Sequence, residues 1–222
     1  MIQFLSNSLL ILLCLAVFPG VLRAEVIPPS VHSSSGQCHS EIIVSVKDQQ
    51  LMFKKDGKTE FLFPVSTSRF GIGDRFGSYA TPLGKFFVRM KIGSGQPLGE
   101  VFHARTPTGE VLKPNAPGRD PIVTRILWLE GAEPGNRNAF NRGIYIHGTP
   151  QEKLLGRPAS YGCIRMRSSD VAALFDRVVT GTTVRIIPDH LPSANPLLRD
   201  FGILYSHGFI ASHSGSPESA SE

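Results

Sequence analysis

Two short segments hold the residues best suited to chemistry: Y-I-H-G-T at 145–149 and S-Y-G-C-I-R-M at 160–166. They place His147 sixteen positions before Cys163, with a glycine next to each. A thiol is a useful nucleophile as the thiolate, and a neighbouring imidazole is a common way to produce one. Glycine lets the backbone approach a reacting carbonyl and leaves N–H groups free to face it. No other stretch combines a nucleophile, a base and backbone donors. Taken singly the two residues are weak signals, because free cysteines are often simply buried and a lone histidine is as often structural. Their pairing points to acyl transfer through a thioester, with Cys163 attacking and His147 moving the proton. Arg165 keeps its charge and presents a fork suited to a carboxylate. A structural ion pair from Arg165 to Asp170 or Asp176 is the alternative. Thr81, Pro82 and Gly84 read as turn-formers, Trp128 as core, and His103, His190, His207 and His213 as surface residues.

Competing chemistries fit less well. Cys38, His39, His147 and Cys163 make an unconvincing zinc set, since structural sites favour close C-x-x-C or H-x-x-x-H pairs. A papain-like order would put the cysteine first, with a wide separation. A disulfide between Cys38 and Cys163 would silence the nucleophile, so a free Cys163 is the expectation.

The elements that must hold these residues are mainly strands. A hydrophobic content of 41% excludes a disordered chain, while 22 glycines, 17 prolines and only 18% charged residues favour strands and turns over long charged helices. Apolar alternation begins at Glu41, and Asp56-Gly57 predicts a hairpin turn between 51–55 and 60–65. Strands are expected at 86–90, 122–129 and 143–147, the last delivering His147 at its end. Residues 93–121 read as a long ordered loop. One helix follows the cysteine, with Val171, Leu174, Phe175 and Val178 at helical spacing, a cap from Ser168 or Ser169, Asp170 in its first turn and a stop at Gly181. A strand over 182–187 closes the pattern.

Residues 9–18 form an uncharged apolar run, too short to span a bilayer comfortably, followed by Leu22-Arg23-Ala24. The expected organisation is a signal peptide over 1–24, with an uncleaved N-terminal anchor as the alternative, a linker over 25–40, one folded domain over 41–188, and a partly disordered C-terminal extension over 189–222. This implies export to the periplasm or cell wall. The net charge of +5 suits an acidic partner, but no lysine-rich run or basic helix supports nucleic acid.

The segments at 145–149 and 160–166 resemble the signature of L,D-transpeptidases with the YkuD-type catalytic domain, and T-P-L-G-K-F at 81–86 is similar to a second, less specific family motif. The resemblance covers roughly residues 41–188. It implies a mostly β (α+β) single domain, a mixed β-sandwich with one helix after the catalytic cysteine. It implies Cys163 as nucleophile, His147 as base, and the Gly148 carbonyl orienting the imidazole. The N–H groups of Tyr161, Gly162 and Cys163 would form the oxyanion hole. Arg165, with Ser160 and Tyr145 in support, would bind the substrate. By the same resemblance the substrate is a peptidoglycan stem peptide, cut between residue three and the terminal D-alanine. An amine acceptor then gives a 3→3 cross-link, water gives a carboxypeptidase, and a protein amine gives protein anchoring. Acylation by a carbapenem is expected, and no cofactor or metal. A non-catalytic wall-binding protein is the reading from a different class. One position departs from the family pattern: Tyr161 stands where a second histidine is frequent, and a phenol is a poor base at neutral pH.

Overall fold

The computed structural model describes residues 39–192. The expected signal peptide, most of the expected linker, Cys38, His207, His213 and the residues beyond 192 lie outside the described residues.

The opening meander follows directly from the sequence. β1 (Ser40–Ser45) starts one residue before the expected boundary and pairs antiparallel with β2 (Gln50–Lys55), which turns into β3 (Lys58–Ser66). The turn residues Asp56 and Gly57 both have positive φ, 49° and 77°, as a two-residue hairpin requires. Ile42, Ile43 and Val44 are all fully buried, because β1 is flanked by strands on both edges and covered on both faces.

After β3 the chain forms β4 (Gly84–Ile92), a hairpin of β5 (Glu100–His103) and β6 (Thr106–Val111), and β7 (Ile122–Gly131). β8 (Tyr145–Gly148), β9 (Ile164–Met166), helix α1 (Ser168–Arg177) and β10 (Thr183–Ile187) complete it. The strand order is β4-β10-β1-β2-β3-β9-β8-β7, and β7 pairs again with β4. The expected sandwich is therefore corrected to a closed, barrel-like sheet. Strand periodicity marks which faces are apolar, but it carries no information on which distant edges meet. The β4–β7 seam runs from Phe86↔Gly131 to Ile92↔Ile126 and removes two free edges at once.

The main core fills the interior. It includes Ile42, Val44, Leu51 and Phe53 from the meander, Phe86 and Val88 from β4, Leu127 and Leu129 from β7, and Ile146, Ile164 and Met166 beside the site. Val171, Leu174, Phe175 and Val178 close it from α1.

Three local expectations are corrected. Residues 93–121 are not all loop, because β5–β6 is built there and docks on β7 at Val101↔Val123 and Phe102↔Ile122. Its turn uses Ala104 and Arg105 at positive φ, 47° and 69°, so the usual Asn-Gly or Asp-Gly signal is missing. The helix is not capped by a serine side chain. Arg167 occupies the cap position, and the Ser168 N–H donates to Glu152 Oε1 at 3.0 Å. The helix also ends at Arg177, before Gly181, where Lys91 Nζ donates to the Phe175 and Val178 carbonyls.

Candidate active site

Register alone assembles the centre of the site. β8 and β9 run parallel, with Ile146 opposite Ile164, His147 opposite Arg165 and Gly148 opposite Met166. Side chains alternate faces along a strand. Ile146, Ile164 and Met166 therefore enter the core, while His147 and Arg165 share the other face. Cys163, two residues before Arg165, joins that face just ahead of β9. The thiol accepts the Tyr145 N–H at 3.4 Å, across the same pair of strands, and itself donates to the Gly143 carbonyl at 3.2 Å.

His147 is buried, and its Nδ1 lies 2.8 Å from the Gly148 carbonyl. A carbonyl can only accept, so Nδ1 carries the proton and Nε2 holds a free lone pair. Glycine is needed at 148 for the packing on β7, since a Cβ there would sit 2.6 Å from the Val123 carbonyl. Burial holds the imidazole down at about 4; the Gly148 carbonyl and Asp120 oppose the shift and Arg165 adds to it. Burial likewise raises the Cys163 thiol to about 11, against the Tyr145 N–H and the charges of Arg142 and Arg165. Both groups rest neutral at pH 7. Proton transfer from sulfur to imidazole then has to accompany attack on a substrate rather than precede it. Cys163 is a free thiol and only partly buried, so the sulfur is reachable.

Two cavities meet at Cys163. One, of about 140 Å³, is lined by Cys163 together with His147, Asp120, Ile122, Ser160, Tyr161 and Arg165. The other, of about 270 Å³, holds Cys163, Arg142, Gly143, Tyr79 and Phe76 among its walls. A separate cavity of about 270 Å³ near the start of α1, between Leu98 and Arg167, touches neither Cys163 nor His147.

The turn before the cysteine is fixed by hydroxyls. Ser160 Oγ donates to the Cys163 carbonyl at 2.6 Å and accepts the Gly162 N–H at 3.2 Å. Thr81 Oγ1 donates to the Gly162 carbonyl at 2.9 Å and accepts the Ser68 N–H. Gly162 has φ +118°, a conformation that other residues adopt only under strain. The T-P-L-G segment thus reaches the site through Thr81, as a brace under the turn that carries Cys163.

Several expected substrate ligands already have protein partners. Arg165 is only 4% exposed and forms an ion pair with Asp120; its Nη2 donates to Ser66 Oγ at 3.1 Å. Asp120 thus stands where Asp170 or Asp176 was the structural expectation, and it also accepts the Thr149 hydroxyl. Ser160 is buried, with its hydroxyl engaged inside the turn. Tyr145 is buried edge-on against Trp128, and its phenol oxygen accepts from Arg105 at 3.2 Å. Trp128 is half-buried and stacks on Phe140 at 4.1 Å, packing beside Cys163 rather than in the main core. Of the surface histidines, His103 is exposed, while His190 is exposed but paired with Asp48.

Sequence reasoning missed Asp120, Arg142 and Asp74. Arg142 pairs with Asp74 at 3.0 Å, both side chains under 9% exposed, and also donates to the Gly73 and Ala80 carbonyls. The pair ties the 66–80 loop to the loop before β8 and brings a cation towards the thiol. All three lie in Gly- and Pro-rich loops, where no periodicity marks them. The one usable signal is that a buried arginine demands a carboxylate.

The chain is similar to several known proteins. YqjB of Bacillus subtilis (strain 168), whose name assigns it to the L,D-transpeptidases, is 29% identical over 150 residues, 67% of this chain and 72% of that protein. Among solved structures, an L,D-transpeptidase from Mycobacterium smegmatis is similar at 16% identity and a TM-score of 0.45, covering 68% of this chain and 59% of that one. The L,D-transpeptidase LdtMt1, solved in complex with imipenem, is similar at 18% identity and a TM-score of 0.44, with 68% and 59% covered. This chain therefore spans little more than half of those solved chains. The sequence model of the YkuD family, described as the L,D-transpeptidase catalytic domain, matches residues 39–186, well over half of the chain. With that match spanning nearly all of the closed sheet and both motif segments, the chain belongs to the YkuD family of L,D-transpeptidases.

Proposed function

We propose that this protein is an exported, cysteine-dependent L,D-transpeptidase acting on peptidoglycan stem peptides. The observation that carries the reading is the β8–β9 register, which brings His147 and Cys163 to one cavity while the Gly148 carbonyl leaves Nε2 of His147 as the base. Cys163 Sγ attacks the amide carbonyl between residue three and the terminal D-alanine. The thiol proton passes to His147 Nε2 and then to the departing amine, which leaves as D-alanine. The carbon–nitrogen bond breaks as the thioester forms. The amine of a second stem attacks the thioester, loses its proton to His147, and restores the thiol, giving a 3→3 cross-link. Water in place of the amine gives a carboxypeptidase, and a protein amine gives anchoring.

The negative oxygen formed in both steps needs donors. Gly162 N–H is held by Ser160, so the proposed pair narrows to the N–H groups of Tyr161 and Cys163. Loss of one such donor typically costs about 2.7–4 kcal/mol of barrier. A carbapenem would acylate the same sulfur through its lactam carbonyl. LdtMt1 with imipenem supports that extension, and the apolar run at 9–18 supports export to the periplasm or cell wall, with a role in wall biogenesis and cell shape.

The test is to incubate the purified protein with tetrapeptide muropeptides and follow it by mass spectrometry. An acyl adduct on Cys163 together with released D-alanine is expected, and the product mixture identifies the acceptor. Neither adduct nor D-alanine, with wall fragments still bound, would leave the non-catalytic binding protein as the better reading.

A further inference from the structure

Arg165 is the residue that the sequence nominates for a substrate carboxylate, yet its guanidinium is already paired with Asp120. Two other arginines stand beside it without an acidic partner. Arg69 and Arg157 are exposed and line a groove of about 650 Å³ with Asp120, Tyr161 and Arg165. Those last three residues also line the cavity that contains Cys163 and His147, so the groove opens towards the reacting atoms. Among the described residues, neither Arg69 nor Arg157 makes an ion pair with an Asp or Glu.

Arg69 is nevertheless held in place. Its guanidinium lies 4.4 Å from the centre of the Tyr161 ring and 4.9 Å from that of Phe70, and Nη2 donates to the Tyr161 phenol oxygen. Phe70, Tyr79 and Tyr161 support one another, with ring centres 5.4–5.8 Å apart, although Tyr161 is 58% exposed. An aromatic face and a phenol oxygen fix a guanidinium without cancelling its charge. Arg157 is registered through its backbone. Its carbonyl accepts from the Ser66 hydroxyl at 2.8 Å, and the Ser66 Oγ in turn accepts from Arg165 Nη2. The electrostatics are one-sided, because Arg165 and Asp120 neutralise each other while Arg69 and Arg157 do not.

We propose that this groove is a carboxylate subsite for the peptide substrate, read by Arg69 and Arg157, with Tyr161 as the positioning residue that holds Arg69 in it. The proposal rests on the acyl-transfer reading of the adjoining thiol. The anion has to belong to the molecule whose amide reaches Cys163, and the anionic groups of such a peptide are carboxylates. Tyr161, which departs from the family pattern, thereby gains a role as a platform rather than as a base.

The test uses the full chain carrying Cys163→Ala, so that binding is measured without turnover. Two synthetic stem-type peptides are titrated by calorimetry, identical except that one bears a free carboxylate beside the scissile amide and the other a carboxamide. The carboxylate peptide is expected to bind about tenfold tighter, the usual scale of one charge-assisted contact. Arg69→Gln and Arg157→Gln should each erase most of that preference, with unchanged melting temperature because both side chains are exposed. Tyr161→Ala should match Arg69→Gln, whereas Tyr161→Phe, which keeps the ring, should retain part of the preference. Equal affinity for the two peptides, a preference that survives both arginine substitutions, or no binding of either peptide overturns the proposal. Acylation of unsubstituted Cys163 is scored separately. Acylation without carboxylate preference sinks the subsite alone, while preference without acylation sinks the transferase reading alone.

Discussion

In the proposed mechanism His147 and Cys163 work as a pair in which each group starts neutral. The imidazole remains a free base until pH falls through about 4, well below its ordinary 6.5. The acid limb of Cys163 acylation should therefore lie near pH 4 and not near pH 6.5, as read by the rate of adduct formation in a pH series. His147→Gln should slow acylation by about 10²–10⁴-fold, the usual worth of a positioned proton-transfer group. A mass-spectrometric time course checks this, and an unchanged rate would remove His147 from the mechanism. These two residues were legible because their types and spacing are themselves the signal. Asp120 was not, since its importance comes from meeting Arg165 across 45 positions of chain.

At the scale of elements, the site depends on how loops and strands are fastened. Arg142 and Asp74 form a buried pair that joins two loops, and breaking such a pair by removing one partner costs about 3–5 kcal/mol. Asp74→Asn should therefore lower chemical-denaturation stability by that order. Arg142→Gln, which removes the cation that favours the thiolate, should slow alkylation of Cys163 by iodoacetamide at pH 9. Gly148→Ala tests the β7–β8 contact. The new methyl would meet the Val123 carbonyl at 2.6 Å and Thr124, which sits at φ +72° in the bulge of β7. Neither neighbour is a flexible side-chain end, so the strand has to shift. The variant should lose both activity and a few degrees of melting temperature. The meander strands and α1 were readable from period and turn chemistry. The β5–β6 hairpin was hidden because Ala104 and Arg105 make its turn without a glycine.

For the molecule as a whole, the buried neutral histidine couples folding to pH. Its folded value lies below the unfolded one, so the unfolded chain binds a proton that the folded chain refuses. The stability contribution is intact above about pH 6.5 and is lost as pH falls towards 4. A fall from 6.5 to about 4 corresponds to about 3 kcal/mol. Denaturation curves at pH 7 and pH 4.5 should differ by most of this amount, and His147→Gln should flatten the difference. Cys163 acts in the opposite direction. Its raised value means that stability is full below about pH 9 and declines above it, towards 11.

By itself the sequence determined the local events: the Asp56-Gly57 hairpin, the amphipathic helix after Cys163, and the two motif segments with their reactive types. These rest on backbone conformation and side-chain chemistry over a few residues, so they are written in contiguous sequence. Tertiary structure alone decided the rest. The β4–β7 seam closes the sheet where periodicity allowed a sandwich. The parallel register of β8 and β9 sets His147 and Cys163 on one face. Asp120 takes the arginine that the motif offered to the substrate, and Tyr161 gathers Arg69 from 92 positions away. Such pairings depend on which distant edges and charges meet when the core is buried, and no local pattern encodes that.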